Sequence, residues 1–259
     1  MPRYNPVMLD PACNRNIKFV IAYNGARFHG WQRQAPGIDT VQERVEGAVA
    51  RVLGERVIVS GASRTDAGVH AEGQVANVRT ANFAIPLLGL RRATNSRLPA
   101  DIVVRSAAEA PADFNASRSA VGKTYRYSIH VAPTRSAASV NQVWHYWRPL
   151  ETEPMRMAAM RLVGTHDFRG FATSLEVREN TVRTIYRCEV AEEGSQVQVH
   201  VQGDGFLYNM VRNIVGTLVE VGRGHWPPER IDHILATRNR QDAGPTAPPD
   251  GLTLMCVHY

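Results

Sequence analysis

Asp66 is the side chain whose neighbours in the sequence most invite chemistry. It lies in the run Ser63-Arg64-Thr65-Asp66-Ala67-Gly68-Val69-His70, a polar loop between two stretches that read as strands. Gly68 permits a backbone turn that other residues resist, and loops held by a rigid scaffold are common places for functional groups. A neighbouring arginine, Arg64, favours the ionised carboxylate, which can then serve as a nucleophile or a base. Taken by itself, the loop is read more simply as a turn aspartate beside a surface arginine.

Other chemistries find no footing. Gly122-Lys123-Thr124 suggests a phosphate-binding loop, but Ser117 stands where its first glycine belongs, and the segment reads as the start of a strand. Gly203-Asp204-Gly205 lacks the third glycine of a dinucleotide fingerprint and reads as a turn. The nine histidines show no H-E-x-x-H or comparable ligand spacing, and there is no G-x-S-x-G elbow. Cys13, Cys188 and Cys256 are too far apart for a C-x-x-C site and do not read as a disulfide framework. No metal and no cofactor are expected.

The elements that must position Asp66 follow from periodicity. Asn16 to Tyr23 alternates as a strand, and Thr40-Val41-Gln42-Glu43 reads as a capping box opening a helix through Leu53, with Val41, Val45, Ala48, Val49 and Val52 on one face. Strands are expected at Arg56–Gly61 and Gln74–Val78, on either side of the Asp66 loop, then a helix over Pro86–Arg97 and an extended run over Ile102–Ala107. The second half offers a strand at Lys123–Val131, a helix at Glu153–Val163 and a hairpin of Thr184–Glu192 with Ser195–Gln202 around Glu193-Gly194. Phe206–Val221 is the strongest helix, striped by Leu207, Met210, Val211, Ile214, Val215 and Leu218; a helix from Pro227 and a strand at Thr253–Val257 complete the chain. The fold class is α+β: two α/β subdomains, 16–110 and 111–259, behind a loosely ordered tail over 1–15, with mainly antiparallel pairing.

Of the 30 basic residues against 24 acidic, all but Lys18 and Lys123 are arginines. A net charge of +6 suits a polyanionic partner, and the arginine fork grips phosphate and stacks on bases. Codon bias explains the choice of arginine over lysine as well as function does, though not the positive sum. No apolar run approaches the roughly 20 residues that span a bilayer, and the first 15 residues have no signal-peptide core, so the expected compartment is the cytoplasm. Without secretion the sequon Asn115-Ala116-Ser117 carries no meaning.

Four separated segments, read in order, turn the balance at Asp66. Arg64 to His70, Tyr23-Asn24-Gly25 with Phe28-His29-Gly30-Trp31-Gln32, Lys123-Thr124-Tyr125-Arg126-Tyr127, and Phe206 through Gly216 together resemble the tRNA pseudouridine synthase A family. The resemblance covers nearly everything after Arg15. It implies the pseudouridine synthase fold, with a basic active-site cleft between the subdomains, and an isomerase of uridine in tRNA without a cofactor. Asp66 would be the nucleophile, Tyr125 would pack on the uracil and assist proton removal, Arg212 would pair with Asp66 and keep it ionised, and Arg64 would fill the space left by a flipped nucleotide. The resemblance further implies uridines 38 to 40 of the anticodon arm as targets and a homodimer that holds one tRNA across both subunits.

Two departures stand out. Ser63 occupies a place where that family usually has glycine, and Phe114 to Arg118 lacks the usual histidine and earlier arginine of a tRNA-contacting stretch. Arg118 is the candidate substitute there, and Arg178 a second candidate for tRNA contact. The alternatives are a synthase with other tRNA targets, a tRNA chaperone without catalysis, and a metal-dependent nuclease built on Asp66. The last needs a second carboxylate, and Glu72 is the nearest. The leading reading requires Asp66, Tyr125 and Arg212 to converge in one basic cleft.

Overall fold

A computed structural model describes residues 15–173 and 179–259. Its strands are β1 (Arg15–Tyr23), β2 (Val59–Gly61), β3 (His70–Thr80), β4 (Ile102–Glu109), β5 (Gly122–Val131), β6 (Trp144–Tyr146), β7 (Gly164–Asp167), β8 (Val182–Glu193), β9 (Gln196–Gly203) and β10 (Leu252–His258). Its helices are α1 (Val41–Leu53), α2 (Leu87–Asn95), α3 (Thr152–Met160), α4 (Met210–Gly222) and α5 (Arg230–Thr237). The strands join one sheet in the order β4-β1-β3-β10-β5-β9-β8-β7, with β2 added to β3 and β6 to β5.

Pairing is antiparallel except at β3–β10 and β5–β6. The β3–β10 seam is short, with Thr253 opposite His70 and Leu254 opposite Ala71. It joins the half of the sheet built from residues up to Glu109 to the half built from Gly122 onward, so the last strand of the chain lies in the middle of the sheet. A single large apolar cluster runs through both halves. In β9, Val197, Val199 and Val201 are buried while the residues between them are partly open, as the alternation predicts.

Several expectations need correcting. Thr40 does not cap α1 through its side chain; its hydroxyl is buried without a partner among the described residues. The helix start is instead closed by backbone carbonyls of the preceding loop: Val41 N–H donates to Gly30 O (3.2 Å) and Gln42 N–H to Trp31 O (2.9 Å). Helix α4 starts at Met210 rather than Phe206, because Asn209 takes a left-handed conformation (φ 58°) that ends the preceding turn. β2 is shorter and β3 longer than expected, and the short strands β6 and β7 have too few residues to show a period. Arg15, expected in the tail, opens β1 and is buried, with Nε donating to Glu109 Oε1 (2.6 Å) and Nη1 to Ile85 O (2.7 Å). The rest of the expected tail and Arg178 lie outside the described residues.

Candidate active site

The Asp66 loop leaves β2 and enters β3, and the 24–32 segment holds it from behind. Trp31 N–H donates to Thr65 O (3.0 Å), Gly68 N–H to Phe28 O (3.3 Å), and the Tyr23 hydroxyl meets Thr65 Oγ1 (2.8 Å). Gly68 has φ +81°, the left-handed turn its position in the sequence suggested. His70 adds a tie at the loop's end: Gly25 N–H donates to its Nδ1 (3.1 Å), and Nε2 lies 3.2 Å from Asp250 O. The two aromatic-rich N-terminal motifs therefore serve as the mould of the loop.

Asp66 opens onto a cleft of about 960 Å³. Arg64, Tyr125 and Arg212 line the same cleft, so the convergence required of Asp66, Tyr125 and Arg212 is present. Lys123 joins Arg64 and Arg212 on the wall, and Asp66 is the one acidic residue among the described lining residues, so the cleft is basic. Arg64 is exposed on the rim. Asn115 and Ser117 also line the cleft, whereas Arg118 is exposed outside its wall, its backbone N–H donating to Asn115 Oδ1 (3.0 Å). Glu72 pairs with Arg105 and is not part of the cleft.

Arg212 is the only residue of α4 that is not buried. Its guanidinium is gripped by neutral acceptors, Nε on Ala247 O (2.7 Å) and Nη1 on Asn209 Oδ1 (2.9 Å), and Nη1 also reaches Asp66 Oδ2 at 3.4 Å. The loop carrying Ala247 can approach because position 216 is glycine: a Cβ there would fall 1.7 Å from Pro245 O. Burial raises the Asp66 carboxyl above the usual carboxylate range, and the charge and hydrogen bond of Arg212 only partly offset it. Arg212 pulls Asp66 toward the ionised form, as expected of the pair, while burial sets the net direction upward.

Tyr125 is buried, its ring edge-on to Phe206 with centroids 5.2 Å apart. Its hydroxyl meets Ser63 Oγ at 2.8 Å. Burial pushes the phenol up to about 12; the Ser63 hydrogen bond pulls down and the nearby Asp66 charge pushes up. Gln74, fully buried, grips Ser63 on both backbone sides. Gln74, Asn209 and the Ala247 carbonyl support the site, although the sequence motifs give them no role in it. Gln74 lies among other polar residues of β3, such as His70, Glu72 and Asn77, so its type gave no signal, and a carbonyl leaves none.

The model of the tRNA pseudouridine synthase family matches residues 19–117 and 158–259 of this chain. The chain belongs to that family. A tRNA pseudouridine synthase A from Syntrophotalea carbinolica is 46% identical over 243 residues, 94% of this chain and 96% of the relative. One from Acetivibrio thermocellus is 45% identical across 95% of this chain and the whole of the relative. A tRNA pseudouridine synthase A 2 from Clostridium perfringens is 43% identical with the same coverage. Family membership gives the cleft its context: Asp66, Tyr125 and Lys123 sit within or beside segments that the family resemblance had marked, and the fold brings those segments together.

Proposed function

We propose that this chain isomerises uridine to pseudouridine in tRNA, at positions 38 to 40 of the anticodon stem-loop, with Asp66 as the nucleophile. The observation that carries the reading is the meeting of Asp66, Tyr125 and Arg212 in one basic cleft, from three elements distant in sequence. The names of the relatives support the substrate class.

The ionised Asp66 engages the target uridine as the bond between sugar C1′ and base N1 breaks. The freed uracil turns in the cleft, its C5 bonds to C1′, N1 takes up a proton, and the proton on C5 is lost to solvent with Tyr125 assisting. Nothing is gained or lost overall, so the reaction calls for no redox carrier. Arg212 fixes the carboxylate in place, and burial raises its basicity and so its strength as a nucleophile. Arg64 at the rim occupies the gap left by the flipped nucleotide, and Arg118 extends the tRNA contact outside the cleft. The protein works as a homodimer in the cytoplasm; no helix among the described residues is long and apolar enough to cross a membrane.

Incubating purified protein with unmodified tRNA and mapping the modified positions tests this. Pseudouridine at 38 to 40 is expected. Modification only elsewhere would replace the target assignment, and binding without any pseudouridine would favour a chaperone.

A further inference from the structure

In the sequence Ser63 stands out only as a departure from the family pattern ahead of Arg64, but its surroundings give it a task. It is buried, lines the cleft, and places Oγ 2.8 Å from the hydroxyl of Tyr125, 62 residues away. We propose that Ser63 is a positioning residue for Tyr125, fixing the phenol oxygen at the cleft while the tyrosine assists loss of the C5 proton. The proposal rests on the reading of Tyr125 given above.

Three observations carry it. A buried phenol needs a hydrogen-bond partner, and Ser63 supplies one. The serine is itself immobilised: Gln74 Oε1 accepts from Ser63 N–H (3.2 Å) and Gln74 Nε2 donates to Ser63 O (2.7 Å), so β3 sets where the hydroxyl stands. Finally, Ser63 lies three residues before Asp66 in the same loop, so one short segment holds the nucleophile and also orients the tyrosine arriving on β5. A serine hydroxyl can accept from a phenol and donate to a phenolate, so the contact holds in either protonation state of Tyr125.

The test is single-turnover kinetics of the full chain on tRNA transcripts carrying uridine or 5-deuterouridine, for wild type, Ser63→Ala, Tyr125→Phe and the double variant. Ser63→Ala is expected to slow turnover about tenfold, the scale of one buried hydrogen bond, with tRNA affinity unchanged and a larger deuterium effect than wild type. The double variant should be no slower than Tyr125→Phe alone, since coupled residues are not additive. Ser63→Gly, which also lacks the hydroxyl, serves the same purpose should Ser63→Ala fold poorly, and thermal unfolding of each variant separates folding losses. Additive losses, or weaker tRNA binding with an unchanged deuterium effect, would overturn the proposal while leaving Tyr125 in its role. An unchanged deuterium effect in Tyr125→Phe would overturn the reading of Tyr125 and the proposal with it.

Discussion

Arg212 meets Asp66 across 146 positions of chain through one contact, Nη1 to Oδ2 at 3.4 Å. Its shorter bonds are to neutral oxygens of Ala247 and Asn209. The cation is therefore held in place independently of the carboxylate, and Asp66 is not locked in a two-toothed clamp. That leaves carboxylate lone pairs for the substrate.

The pH dependence follows from this arrangement. Burial raises the Asp66 carboxyl and Arg212 lowers it, burial prevailing. The acid limb of kcat/KM should lie above the range of an ordinary aspartate. Arg212→Gln removes the opposing pull, so the limb should move to still higher pH while turnover at neutral pH falls on the order of 10²-fold. A pH profile of single-turnover rates checks both; a limb that moves down in the variant contradicts the account.

Stability at Asp66 should run opposite to activity. A carboxyl whose folded pKa exceeds its unfolded value binds its proton more tightly when folded, so its ionisation costs stability as pH rises through that window. Asp66→Asn should therefore unfold at a temperature equal to or above wild type at pH 7, with the difference shrinking as pH falls. Thermal unfolding across pH tests the sign. A clear loss of stability at pH 7 would give Asp66 a structural role instead.

Position 216 tests the support of Arg212. A Cβ there meets the Pro245 carbonyl at 1.7 Å, and backbone must move to admit it. Gly216→Ala should destabilise the protein by about 3 kcal/mol and weaken the Ala247 grip on Arg212, lowering turnover even where the chain is folded. Urea unfolding with activity measured below the transition gives both numbers.

Arg64, exposed on the rim, should matter little for folding. Arg64→Ala is expected to change stability by no more than about 0.5 kcal/mol. Its rate defect should be larger on a base-paired uridine than on an unpaired one, because extrusion costs most from an intact pair. Transcripts with and without the pairing partner make the comparison; equal defects would remove Arg64 from nucleotide flipping.

What the sequence disclosed and what it hid divide along physical lines. Val41, Val45, Ala48 and Val49 of α1 declared their buried face because helical period and burial coincide, whereas α4 is buried on every side but that of Arg212, so its apolar stripe marked only part of what the fold covers. Asp66 and Tyr125 were visible through local motifs. Hidden were groups defined by tertiary approach: the Gly30 and Trp31 carbonyls that replace the expected Thr40 cap, the Ala247 carbonyl on Arg212, and the clamp of Gln74 on Ser63. Backbone oxygens have no residue type to read. The net direction at Asp66 was also hidden, since burial outweighs the arginine and burial belongs to the fold.

The most direct test is to compare Asp66→Ala with wild type for pseudouridine formation and for tRNA binding on one unmodified transcript. The account predicts that product formation falls by about 10⁴-fold or more, as for other lost nucleophiles, while binding is largely retained. Turnover within an order of magnitude of wild type in the purified variant would contradict it.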